Sequence, residues 1–319
     1  MSAVTERINS RGPAVDSGTA VESDRQGRSD RSPRADFVRL LVEFLVLYPF
    51  QPATAFWRAE EIRHVLRRQL PPGDGLDLGC GDGLLSELLA REWHVGFTIG
   101  VDPDPLEAGL AKRSGLYGRV HVCPGQAVPE PDGSVAWMLS NSVLEHVDDI
   151  EAVLAEAARL LRPDGLFLFT VPSDEFHSCL RGPLLPWTDR DAYLTALDAR
   201  LAHLRYWSTG EWREALRRVG LEVVDVVPYL DRWQVRRWET LSRFTGGLLH
   251  ALQRRRRRPI EIQRQLGMRS GTRSPRWLAG IQARVLCLGM PGTSRPAPSP
   301  AGCVLIAARR REPALSRSS

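Results

Sequence analysis

The sequence predicts an α/β protein built on a doubly wound, parallel sheet. Three observations predict it. A short apolar run, Gly75 to Leu78, enters a glycine turn, Gly79-Cys80-Gly81-Asp82-Gly83, and a helical pattern starts at once with Leu84. A second apolar run, Phe97 to Val101, ends in Asp102-Pro103. Beyond it, strand-length apolar runs alternate with amphipathic helical stretches as far as residue 227. That alternation is the mark of repeated βαβ units.

Residues 1–34 are rich in serine, arginine, glycine and aspartate and hold little to bury, so they read as a disordered tail. Residues 35–72 carry two helical patterns. One covers 36–48. The other covers 53–70 and spaces Phe56, Ala59, Ile62, Val65 and Leu66 on one face. Pro71-Pro72-Gly73 stops it and delivers the chain to the first strand.

The glycine turn is the informative stretch. Glycine permits φ > 0 and lets backbone N–H groups approach a ligand that a Cβ would keep away. The helix behind it, with Leu84, Leu85, Leu88 and Leu89 on one side, directs its N-terminus at the same place. A dinucleotide fingerprint needs a further glycine where Leu84 stands, which argues against a nicotinamide-dependent oxidoreductase. Asp77 would repel a pyrophosphate and suit a ligand with a positive end. Asp102 lies 25 residues after Asp77, where an acid can accept both hydroxyls of a ribose.

The elements then follow in order. A helix is expected over 105–113 and a strand over 119–123, followed by Gly125-Gln126-Ala127. A fourth strand, 135–139, opens at its end into Ser140-Asn141-Ser142. The helix over 148–161 has Ile150, Val153, Leu154, Ala157 and Leu161 as its buried stripe, with Asp148 and Glu151 spaced as a capping box. Residues 166–171 are apolar but for Thr170, as suits a buried parallel strand. Pro172-Ser173 lies at its carboxyl end, the edge where open α/β sheets bind ligands. Residues 173–207 carry Phe176, His177, Trp187, Tyr193, His203, Tyr206 and Trp207. An acceptor pocket and plain packing both account for them. Ser208 and Glu211 form a second capping box, opening a helix to Val219, and 221–227 is a sixth strand.

Four stretches in this order, Asp77-Leu-Gly-Cys-Gly-Asp-Gly83, Gly100-Val-Asp102-Pro103, Asn141-Ser-Val-Leu-Glu-His146 and Leu161-Arg-Pro-Asp-Gly165, resemble the class I S-adenosylmethionine-dependent methyltransferases, most closely the type 11 subgroup. The likeness covers about 74–173 and fades towards 228. It implies a Rossmann-like sheet of seven strands, mostly parallel, whose last strand is antiparallel; 303–308 is the candidate. It implies S-adenosylmethionine as cofactor, with Asp77, Gly79, Cys80, Gly81, Asp102, Pro103, Gln126, Ala127 and Asn141 around it. The family usually has an acid where Gln126 stands, against the adenine amino group; a glutamine oxygen can accept the same bond. Ala127 would offer its N–H to the ring. The family also commonly has two glycines where Asp164-Gly165 stands. Its helices before the first strand cover the cleft, which makes Tyr48 and Trp57 candidate lid residues beside a plain packing role. The Asn-Pro-Pro-Tyr signature of enzymes that methylate amino groups of bases or glutamine is absent; Asn141-Ser142-Val143-Leu144 stands there. Methyl transfer needs no catalytic triad, and none is visible. His146 and His177 are the candidate bases, with a loop-holding role for His146 as the alternative. No metal-ligand set stands out.

Composition sets the outer bounds. With 43% hydrophobic and 25% charged residues, the chain reads as a soluble globular protein. No apolar run is long enough to span a bilayer, and 37–50, the best candidate, carries Arg39 and Glu43. The five cysteines are scattered with no C-x-x-C pair. That argues against a structural zinc site or a disulfide framework and suggests a cytoplasmic setting. Charge is uneven. Residues 75–175 hold 17 acidic against 6 basic side chains, and 229–319 hold 4 against 19. The domain plan is then a tail (1–34), N-terminal helices (35–72), a methyltransferase core (73–228), a basic helical insertion or cap (229–300) and a last strand with a basic tail (301–319). The insertion is too long for a hairpin loop. It has helical patterns over 232–252, with Trp238, Leu241, Leu248 and Leu252, and over 277–288, with Leu278, Ile281, Val285 and Leu288; five arginines at 254–258 lie between. A cap over the acceptor pocket is the first reading, peripheral membrane contact the second, and nucleic acid the least favoured. The expected activity is methyl transfer to a small-molecule, glycan or lipid acceptor. The alternative is a non-catalytic, membrane-docked module that only binds S-adenosylmethionine; the intact glycines, Asp77 and Asp102 weigh against it.

Overall fold

The computed structural model describes residues 32–247, 273–290 and 299–311. The expected tail lies outside them except for 32–34, as do Leu248, Leu252 and the arginines of 254–258. Pro33 and Arg34 already belong to the first helix, α1 (Pro33–Leu47).

Seven strands form one sheet: β1 (Gly75–Leu78), β2 (Phe97–Val101), β3 (Tyr117–His121), β4 (Val135–Asn141), β5 (Leu161–Pro172), β6 (Leu221–Asp231) and β7 (Ala301–Arg310). Their order is β3-β2-β1-β4-β5-β7-β6. The first five run parallel, and β7 pairs antiparallel with both β5 and β6. The seven-stranded, Rossmann-like expectation with an antiparallel last strand is met. Strand order reverses between β1 and β4, so a crevice opens beyond their carboxyl ends.

Both faces of the sheet are covered. Along β4, Trp137 and Leu139 face one core and Met138 the other; along β5, Leu166 and Leu168 face the first, Phe167 and Phe169 the second. This alternation follows from the two-residue period of a strand. The first core takes Phe37, Leu40 and Phe44 of α1, Phe56 and Ile62 of α2 (Pro52–Val65), and Leu88 and Leu89 of α3 (Leu84–Trp93). The second takes Val153, Leu154 and Ala157 of α5 (Ile150–Leu160) and Trp212 and Leu216 of α8 (Thr209–Arg218). Between them in sequence lie α4 (Pro105–Ser114), the short α6 (Phe176–Cys179) and α7 (Arg190–Leu201).

Several boundaries differ from expectation for local reasons. The cap of α5 is Asp149, which accepts from Ala152 N–H at 3.1 Å. Asp148 stays in the preceding loop, where its carbonyl accepts from Arg205 at 3.3 Å. The third strand starts at Tyr117, paired with Phe97, and ends at His121. β5 starts at Leu161, paired with Val135 across an irregularity, and Asp164 takes a left-handed φ of 60° inside it. The expected helix over 53–70 ends at Val65. β6 continues to Asp231, which with Gln234 caps α9 (Arg232–Ser242) in a capping box. A π-helical turn over Arg243–Gly247 follows.

Past β6, α9 buries Val235 and Trp238, and the Trp238 ring lies 5.0 Å from Trp57 of α2. Tyr48, the other candidate lid residue, stacks on Phe44. The last helix, α10 (Arg276–Leu286), buries Ala279, Ala283 and Leu286 in the first core. Of the expected face, Ile281 and Val285 are exposed on the helix together with Trp277, Leu278 is half-buried, and Leu288 is exposed just past the helix end.

Because Asp149 rather than Asp148 caps α5, the two carboxylates should differ on removal. Asp149→Ala should cost about 1 kcal/mol in urea unfolding, and Asp148→Ala no more than about 0.5 kcal/mol.

Candidate active site

The glycine turn lies at the carboxyl end of β1. Gly79, Gly81 and Gly83 have φ of 81°, 53° and 81°, the left-handed region that glycine enters without strain. A Cβ on Gly79 would come within 2.4 Å of the Val143 side chain, so this glycine lets the β4 loop pack on the turn. A Cβ on Gly81 would meet nothing nearer than 3.9 Å; Gly81 borders open space. The turn is tied to β2 by Gly79 and Cys80, whose N–H groups both donate to Val101 O at 2.8 and 3.0 Å.

Asp102 completes that tie. Its carboxylate accepts from Gly81 N–H at 2.9 Å and from Asp104 N–H at 2.9 Å. The glycine turn and the acid at the end of β2 therefore meet at one edge of the sheet. Pro103 is exposed in the turn that follows. Asp77 is buried beneath them and accepts from Tyr117 Oη at 2.6 Å and from Ser86 Oγ. Burial, helped by the charge of Asp102, pushes its carboxyl up to about 6, against the pull of the Ser86 and Tyr117 hydrogen bonds. Burial also pushes the Cys80 thiol up, so Cys80 is no nucleophile.

Gln126 and Ala127 are exposed in the loop after β3. Ala127 N–H donates to Pro124 O at 3.1 Å and would have to leave that bond to meet a ring. Asn141 closes β4 and is nearly buried; its Nδ2 donates to Glu61 at 3.0 Å. Its Oδ1 is buried with no hydrogen-bond partner among the described residues. A buried acceptor left so calls for a donor, and the amino end of S-adenosylmethionine would supply one. The turn, Asp102 and Asn141 thus fit that cofactor.

Glu61 was not among the sequence candidates. This fully buried α2 residue accepts from Asn141, from Ser142 Oγ at 2.7 Å, from Tyr229 Oη at 3.0 Å and from Arg58. Burial opposes its charge, yet Arg58, Ser142 and Asn141 hold its carboxyl below the ordinary range. No local motif marks it, because its partners lie 80 or more residues away except for Arg58.

Beyond Asn141 the chain makes a short 3₁₀ turn, Leu144–His146. Glu145 is buried there, and burial, with the Glu61 charge nearby, pushes its carboxyl up to about 8. His146 Nε2 lies 3.9 Å from Glu145 Oε1, and its Nδ1 donates to Ala202 O at 2.8 Å. The His203 ring sits beside it, 5.3 Å between centroids. His177, the second base candidate, is elsewhere. It bonds Asp198 at 2.9 Å and packs on Tyr206 at 4.3 Å, beside Phe176.

A profile of the methyltransferase domain family matches residues 55–226, more than half of the chain. The chain belongs to this family of S-adenosylmethionine-dependent methyltransferases. A probable S-adenosylmethionine-dependent methyltransferase of Mycolicibacterium smegmatis is 31% identical to it over 175 residues, 54% of this chain and 61% of the relative. A ubiquinone biosynthesis O-methyltransferase of Rhizobium johnstonii is 31% identical over 140 residues, 40% of this chain and 56% of the relative. The chain thus spans less than two thirds of the length of these curated relatives. Among solved structures, an S-adenosylmethionine-dependent methyltransferase of Thermotoga maritima, described as a possible histamine N-methyltransferase, aligns with a TM-score of 0.50 at 19% identity. It covers 87% of this chain and 99% of its own, a likeness of fold. Methyltransferases of this family take S-adenosylmethionine as methyl donor, in keeping with the site just described.

The raised Asp77 pKa has a consequence for the ligand-free protein. An aspartate at 3.8 when unfolded and at about 6 when folded leaves the folded state holding more protons between those values. Stability is then lost as pH rises from 3.8 through about 6. Asp77→Asn should therefore raise the melting temperature at pH 7.5 and give little or no gain at pH 3.5; an equal gain at both would place the effect elsewhere.

Proposed function

We propose that the chain transfers a methyl group from S-adenosylmethionine to a small-molecule acceptor, with glycans and lipids included in that class. The observation that supports this best is the 2.9 Å bond between Gly81 N–H and the Asp102 carboxylate. It brings the close-approach turn and the ribose-binding acid to one edge of the switch-point crevice.

The roles divide by chemistry. The Asp102 carboxylate, held by two N–H groups, accepts from the ribose hydroxyls. Gly79, Cys80 and Gly81 pass beneath the ligand with no Cβ at the open position of Gly81. Asp77 sets a negative potential under the cationic end, and Asn141 Oδ1 accepts from it. Gln126, with Pro103 and Ala127, borders the adenine side. The sulfonium supplies the reactive methyl. The chain must hold the acceptor atom in line behind it and keep water out, an alignment worth roughly 7–11 kcal/mol. A base is required only for an unactivated hydroxyl or a protonated amine. Of the two candidates, His177 Nε2 is bonded to Asp198 at 2.9 Å and His146 Nδ1 to Ala202 O at 2.8 Å.

Calorimetry tests the site. Asp102→Ala should weaken S-adenosylmethionine binding at least tenfold while the fold persists. Unchanged affinity would remove Asp102 from the site.

A second reading concerns where the protein works. No helix among the described residues is long and apolar enough to cross a membrane. Yet Trp277, Ile281 and Val285 form an exposed stripe on α10, continued by Leu288 just past its end, with Arg284 and the Glu43-paired Arg276 beside it. An apolar stripe bordered by arginine suits an anionic bilayer surface. Vesicles of phosphatidylcholine with phosphatidylglycerol should co-sediment with the protein, and Trp277→Asp with Ile281→Asp should cut that severalfold. Equal sedimentation of the variant would clear the helix of this role.

A further inference from the structure

The loop after β4 and the segment after α7 meet in a way that methyl transfer does not require. Leu204 N–H donates to Glu145 O at 2.8 Å. The Arg205 guanidinium donates to the carbonyls of Leu144 and Val147 and to that of Asp148. Residues 203–205 are thus clamped onto residues 144–148 by backbone-directed bonds alone. The His146 ring adds a bond of its own, Nδ1 to Ala202 O at 2.8 Å, while the side chains of Glu145 and His203 make none of these bonds. Those three side chains nevertheless converge: one donor atom from each lies within 4.8 Å of the others.

Hydrogen bonds set the chemistry of the two rings. His146 Nδ1 donates to Ala202 O, so its Nε2 carries the lone pair. Tyr206 donates its hydroxyl proton to Asp198 at 2.5 Å and therefore accepts from His203 Nδ1 at 3.0 Å. The His203 lone pair is then also on Nε2. An imidazole whose far nitrogen is bound to a carbonyl or to a carboxylate-backed hydroxyl is the arrangement found behind metal-ligating histidines. Glu145 adds an independent sign. Its Oε2 is buried with no hydrogen-bond partner among the described residues, a costly state for a carboxyl oxygen unless something else binds it.

We propose that Glu145, His146 and His203 form a binding site for a divalent first-row transition metal at the acceptor end of the crevice. Two imidazoles and one carboxylate suit zinc, iron or cobalt better than magnesium. Donor atoms on one such ion stand about 4 Å apart or less, from bond lengths of roughly 2.1 Å, so small side-chain turns close the set. Three protein ligands leave positions open, as catalytic sites do. The site uses none of the cysteines, whose spacing excluded only the C-x-x-C kind of zinc site. Given the methyltransferase reading, on which this clause alone rests, the open positions select an acceptor that offers an oxygen ligand, a hydroxyl or carboxylate.

Cobalt(II) titration of the metal-stripped, untagged full chain tests it through visible absorption. The wild type should take up one equivalent in a spectrum without a thiolate charge-transfer band. Glu145→Gln and His203→Gln should each weaken binding at least thirtyfold, and Tyr206→Phe, which leaves all ligands in place, about tenfold or more. S-adenosylmethionine affinity, measured in parallel, should stay within threefold and vouches for the fold. No cobalt uptake by a wild type that binds S-adenosylmethionine, a thiolate band, or equal uptake by the variants would overturn the metal site and leave the methyltransferase reading standing. Cobalt uptake without S-adenosylmethionine binding would do the reverse.

Discussion

The bond between the Asp102 carboxylate and Gly81 N–H is the constraint on which the rest of the site depends. It joins the end of β2 to the turn after β1, so the strand pair and the turn cannot shift independently. The backbone must adopt positive φ at Gly79, Gly81 and Gly83 to deliver that N–H, which is why side chains are missing at those positions. Asp77 sits below, buried and raised towards neutrality. Burial thus penalises this carboxylate's charge, a penalty that a cationic ligand can relieve.

The second tie runs from outside the sheet. Glu61 carries α2 onto the tip of β4 through Asn141 and Ser142 and onto β6 through Tyr229. The N-terminal helices therefore form a wall against the ends of β4 and β6. Trp57 extends this wall, set against Phe176 and Trp238 at 5.9 and 5.0 Å. One aromatic layer so links α2, α6 and α9.

What the sequence disclosed was what is local. The glycine turn, the acid after β2 and the Ser208–Glu211 capping box are each fixed by a few neighbouring residues, and the structure has them where the spacing put them. Boundaries slipped where pairing decides them: β5 begins at Leu161 because Val135 is opposite, and no pattern within 161–165 encodes Val135. Glu61 and the Glu145–His203 meeting escaped because their partners are remote in sequence. For Glu61 its own helix gives no signal, since Thr54, Arg58 and His64 share its side with Trp57 and Val65. The helix α10 shows a different limit. Periodicity gave one apolar face, Leu278, Ile281, Val285 and Leu288, but the face that is covered is the small one with Ala279 and Ala283. The small one packs because α1 approaches closely there.

The central claim is that Asp102, held by the turn, binds a ribose diol. A thermodynamic cycle measures this directly, pairing wild type and Asp102→Ala with S-adenosylhomocysteine and its 2′,3′-dideoxy analogue. The account predicts that loss of the diol weakens binding at least tenfold in the wild type and hardly at all in the variant. Equal losses in both proteins would contradict it.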